Sequence, residues 1–206
     1  MTFIFPAVLI VIIIAVVASR MNEGLWSNAI ALVNTVFAAL IASNFYEPLT
    51  IWLTKQVPGG RYSWDITTLW ALFAVSMFAM SALTDLVSRY KVRFIKPVEQ
   101  VGGLLFAAWT GWVVVCFLCM TLHTAPLARN FLWGGFKPEE QMLFGLAPDR
   151  QWLGFVQRTS QGALAPVNAG ENYAGFDQHA EFMIKYASRR EAYAREEGFA
   201  GKKPPL

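Results

Sequence analysis

Few residues in this chain combine a reactive type with a setting that draws attention to it: the thiols Cys116 and Cys119, the imidazoles His123 and His179, the carboxylate Asp85, and the amides Asn28 and Asn34. A Cys-x-x-Cys spacing serves redox or metal chemistry in a soluble protein. Here both thiols sit inside an apolar run, with no second Cys pair or His at ligand spacing, and they read as core packing. His123 and His179 form no ligand set of familiar spacing. No phosphate-binding glycine loop, nucleophile elbow or zincin helix occurs. The expectation is a non-enzyme without catalytic, cofactor-binding or metal-binding residues, and without a cofactor.

Asn28, Asn34 and Asp85 admit two readings. An ionisable residue inside a membrane span is a functional hypothesis by default, so the three could line a polar path. The structural reading gives the amides protein partners, because an amide in hydrocarbon needs one. It also pairs Asp85 with Arg89 at i+4, near a span end.

The elements that position these residues follow from hydropathy. Of 206 residues, 55% are hydrophobic and 15% charged, with mean hydropathy +0.40; soluble domains carry about 25% charged residues. The apolar excess lies in residues 1–122, a membrane domain, whereas residues 123–206 form a polar tail. Four spans are expected, over about 3–19, 25–45, 66–87 and 100–122, making an all-α four-transmembrane-helix bundle. The first run is retained as a span; a cleavable signal peptide is the alternative, disfavoured by the missing positive n-region. Pro48 predicts a kink or break after span two, and Asp65 is the expected N-cap of span three.

Within the spans, Gly103, Ala107 and Gly111 recur every fourth residue, and Gly24, Asn28, Ala31, Ala38 and Ala42 form a second small or amide-bearing stripe. Such faces let helix backbones approach closely, for packing within the chain or for self-association. Arg89, Lys91, Arg93 and Lys96 make the densest cationic loop, which the positive-inside rule places in the cytoplasm. Both termini then lie on the non-cytoplasmic side. The net charge of +3 is too small and too scattered for nucleic acid. The expected partners are the lipid bilayer and either a second copy or another membrane or envelope protein.

The tail carries helical signals. Pro138-Glu139-Glu140-Gln141 reads as one helix start, and Pro148-Asp149 as another, with Trp152, Phe155 and Val156 on its apolar face. A third helix is expected from Asp177 to Glu197 and a disordered end from Gly198. The tail helices either lie on the membrane or dock on the bundle.

Two stretches carry a family resemblance. Gly24-Leu25-Trp26 opens span two, which ends in Ala42-Ser43-Asn44-Phe45-Tyr46 followed by Leu49-Thr50-Ile51-Trp52-Leu53. Val98-Glu99-Gln100-Val101-Gly102-Gly103, with Ala107, Ala108 and Gly111, leads into span four. Over residues 1–122 the chain resembles the colicin V production protein family (CvpA), four-span bacterial inner-membrane proteins. The resemblance implies a role in production or export of a peptide toxin, or in envelope homeostasis, with no enzymatic activity. Three charges common in the family are missing: Phe3–Ala18 has no acid, the first loop reads Met21-Asn22-Glu23, and Trp109-Thr110 stands where an arginine is usual. A small oligomeric channel or transporter subunit is the alternative function.

Overall fold

The computed structural model describes residues 3–60, 63–88, 92, 94–127, 136, 142–162, 176–177 and 180–195. Arg89, Lys91, Arg93, the 138–141 helix start, His179 and the end of the chain lie outside these. Six α-helices and no strand occur among the described residues: α1 (Ile4–Arg20), α2 (Leu25–Gln56), α3 (Trp64–Val87), α4 (Lys96–Thr124), α5 (Pro148–Gln161) and α6 (Phe182–Arg195). Three of them, α2, α3 and α4, are long and apolar enough to cross a membrane. At 17 residues, α1 falls just short, with a length of roughly 26 Å at 1.5 Å per residue.

The first four helices alternate in direction. Leu25 and Asn28 of α2 meet Glu99 and Gly103 of α4, so those two helices run parallel. Asn34 of α2 meets Thr84 of α3, and Thr50 meets Thr68, so α3 runs against α2. Against α4, α1 is likewise antiparallel, with Ile13 over Gly111 and Phe5 and Leu9 beside Val115 and Cys119. One end of the bundle therefore gathers the α1–α2 turn, the close of α3 and the start of α4. The other gathers the α2–α3 connection and His123.

Several sequence expectations change here. The helix α2 passes through Pro48 without a break; the proline removes one donor, but the neighbouring turns keep their bonds. Its 32 residues make it roughly 48 Å long at 1.5 Å per residue, well beyond a hydrocarbon core of about 30 Å. Ser63, not Asp65, occupies the N-cap position of α3, and Asp65 in the first turn turns inward to a tail helix. The expected start of span four at residue 100 moves back to Lys96, since Pro97 stands in the first turn, where its missing N–H costs no bond.

The tail docks. Trp152, Leu153 and Val156 of α5 are buried with Phe117 and Met120 of α4 and Leu40 of α2. Phe182 and Tyr186 of α6 join the same cluster, which Tyr46 and Leu69 complete. Before α5, Leu143 and Phe144 adopt positive φ (51° and 54°), so no α-helix extends through that turn. The Asp177 carboxylate accepts from the backbone N–H groups of Glu181 and Phe182 at 2.7 and 2.9 Å, which sets the start of α6 at Phe182 and not Asp177.

Candidate functional site

The polar residues of the bundle collect at its two ends. At the first end, Asn28 is fully buried. Its Nδ2 donates to the carbonyls of Gly103 (3.0 Å), Glu23 (3.2 Å) and Arg20 (3.3 Å), and its Oδ1 accepts from Arg20 Nε at 2.9 Å. One amide thus ties the α1–α2 turn to α4. Glu99 completes the joint: its Oε1 accepts from the Leu25 N–H at 3.2 Å and its Oε2 from the Phe94 N–H at 2.8 Å. A carboxylate borrowed from α4 therefore caps the positive end of α2. A Cβ on Gly24 would displace that carboxylate from its place, and Trp26 Nε1 closes the ring by donating to Ser88 Oγ at 3.0 Å.

The expected packing stripe is spent inside the chain. A Cβ on Gly103 would stand 3.3 Å from the Glu23 carbonyl, and one on Gly111 would stand 3.3 Å from Ile13 Cα. Ala107 between them is fully buried. The stripe seats the α1–α2 turn and α1 and is covered by them.

Asn34 faces protein too, but with one bond, from Nδ2 to Thr84 Oγ1 at 3.0 Å; its Oδ1 is buried without a partner among the described residues. Asp85, next to Thr84, is exposed, and its expected partner Arg89 lies outside the described residues. Asn28 serves α4, Asn34 serves α3 and Asp85 faces outward, so the three do not converge. Cys116 and Cys119 are both free and buried, in different clusters, one toward α2 and α5 and the other toward α1.

The second end holds polar pairs that no local spacing announces. His123 Nε2 and Asp149 Oδ2 are 3.0 Å apart and essentially buried, joining the end of α4 to the first turn of α5. Arg190 of α6 donates to the His123 carbonyl at 2.9 Å. Around α6, Tyr186 meets the Tyr46 hydroxyl at 3.0 Å and donates to Asp65 Oδ1 at 3.3 Å. Arg189 pairs with Asp65 Oδ2 at 2.7 Å, and Lys185 with Glu47 at 2.6 Å. Burial, and after it the nearby Asp65 carboxylate, push the Tyr186 hydroxyl far above its ordinary pKa. It stays a neutral donor throughout the physiological range.

These arrangements are joints. Apart from exposed Asp85, the carboxylates, amides and phenols described are held by other groups of the same chain, and no three metal-ligating side chains come together among the described residues. A groove of about 430 Å³ opens beside Glu23, Trp26 and Glu99, but the Glu99 oxygens are already engaged by backbone amides.

Apolar helices of spanning length, close small-residue contacts and interhelical amide bonds define an integral membrane protein of the helical-bundle class. The model of the colicin V production protein family matches residues 6–135, and the chain belongs to that family. No curated protein and no solved structure matches it significantly. The match ends before α5, so the docked tail helices lie outside the shared region.

Proposed function

We propose that this chain is a non-enzymatic accessory or scaffold protein of the bacterial inner membrane, acting in toxin production or export of the colicin V type or in envelope homeostasis. Membership of the colicin V production family is the observation that carries the reading. The geometry supports it: polar side chains that could serve catalysis are committed to holding helices together.

In this reading α1 is a fourth span, with the bilayer thinned locally to match its length, and is seated on α4 through Ile13 and Gly111. The cationic 89–96 stretch lies in the cytoplasm, which puts α5, α6 and both termini on the opposite side. An oligomeric channel built on Asn28, Asn34 and Asp85 has less support, since the two amides are bonded within the chain and in different directions.

The test is affinity isolation from mild-detergent membranes, with the native mass and composition of the eluate measured. A reproducible stoichiometric envelope protein is expected. A pure homo-oligomer that conducts ions in liposomes would replace the scaffold reading with the channel.

A further inference from the structure

Past Trp112, the outer surface of α4 is taken over by a segment that is itself no span. Val101, Leu105 and Trp109 form an outward stripe, each at least 60% exposed. One turn later Trp112 is partly covered, and its Nε1 donates to Gln151 Oε1 at 3.3 Å. Phe155 and Arg158 follow Gln151 at i+4 and i+7, on the same face of α5. Gln151 Nε2 donates to the Leu146 carbonyl at 2.8 Å, bringing the preceding turn to that face. Phe144, Leu146 and Phe155 are thus exposed apolar residues that prolong the stripe of α4.

The depth of this surface follows from the first end of the bundle. Arg20, Glu23 and Glu99 cluster at the level of Gly103, and charges at that level mark a boundary. A hydrocarbon core of about 30 Å, at 1.5 Å per residue, then ends some 20 residues on, near His123. On α4 the neighbours of the 142–161 segment run from Trp112 through Val115, Phe117, Cys119 and Met120 to His123, which meets Asp149, so the segment reaches that limit and does not pass it. The turn suits a place in lipid, because Leu146 and Ala147 return their N–H groups to the carbonyls of Leu143 and Met142. Leu143, Phe144 and Ala147 hold left-handed φ, which aims Phe144 outward while Leu143 packs on α4 and α1.

We infer that residues 142–161 form a monotopic element seated in one leaflet, at the His123 end, with Phe144, Leu146 and Phe155 among the acyl chains and Arg158 reaching toward the headgroups. The occupant of this surface is the bilayer itself, since it continues the lipid-facing stripe of α4. The inference rests on the membrane-spanning reading of α1–α4.

Spin labels at single cysteines test it in vesicles of mixed zwitterionic and anionic phospholipid. Phe144→Cys, Leu146→Cys and Phe155→Cys are compared with Val11→Cys on α1 and Val75→Cys on α3, all at exposed positions. Buried Cys116 and Cys119 are controlled by the unsubstituted protein. Oxygen collisions should exceed nickel-chelate collisions at all five sites, with the ratio nearer unity for Arg158→Cys. Nickel-accessible labels at 144 and 155, with oxygen-accessible labels at 11 and 75, would refute the leaflet seat alone. Labels shielded from both reagents at 144 and 155 would also refute it, indicating a protein partner. Nickel access at 11 and 75 would instead remove the spanning reading beneath it.

Discussion

Replacing Asn28 and Asn34 separately by leucine distinguishes a structural joint from a polar path. Asn28 loses two amide protons shared among three carbonyls and an acceptor used by Arg20. At about 1 kcal/mol net per bond, three bonds amount to about 3 kcal/mol. Part of this is recovered, since the Gly103 carbonyl keeps its place in the α4 ladder and half-buried Arg20 reaches water, leaving about 2 kcal/mol. Asn34 loses one bond to Thr84, and its unpartnered Oδ1 goes with it. Interhelical bonds in membranes average about 0.6 kcal/mol, so Asn34→Leu should fall within about 1 kcal/mol of wild type. Unfolding in mild detergent by increasing mole fraction of a denaturing detergent reads both variants in one assay. An equal loss, or a larger one for Asn34→Leu, would refute the assignment of Asn28 as the joint between the α1–α2 turn and α4.

Gly111→Leu should cost about 1–3 kcal/mol by overpacking against the Ile13 backbone, while the native mass of any assembly stays unchanged; a smaller assembly would show that the stripe also serves a second copy. Trp152→Ala should cost about 3–5 kcal/mol and expose α5 to hydrogen exchange, whereas Trp152→Phe, which loses the bond to Ser43 Oγ and part of the ring but keeps an aromatic side chain at the site, should cost less, about 1–3 kcal/mol. Tyr186→Phe removes the hydroxyl shared with Tyr46 and Asp65, and should raise proteolysis at α6 roughly fivefold, the equivalent of about 1 kcal/mol. Unchanged cleavage would mean that the Tyr186 hydroxyl does not help to hold α6, leaving its apolar contacts and the bonds of Lys185, Arg189 and Arg190.

What was legible in the sequence was whatever depends on composition along one helix. The runs over α2, α3 and α4 announce themselves, and the four-residue recurrence of Gly103, Ala107 and Gly111 identifies a contact face. Proline in the first turn places the start of α5 at Pro148. Pairings across the fold left no such trace. Asp65 reads locally as a cap, and only the position of α6 turns it into the seat of Arg189, 124 residues later. His123 and Asp149 look unrelated until α5 folds back on α4. Two signals could have been used: the helical run continues well past residue 45, beyond what a bilayer requires, so the turns carrying Tyr46 and Glu47 needed other cover, and Glu99 is an acid in the first turn of a span, three residues after Lys96.

The seat of α6 also has a consequence for biogenesis. Tyr46 and Asp65 come from different helices, so the surface that receives Tyr186 and Arg189 does not exist until α2 and α3 stand side by side. The residues that close on it leave the ribosome after both of those helices. Attachment of α6 therefore reports a correctly assembled bundle, and a quality-control protease that reads a detached α6 would single out chains whose spans have failed to meet.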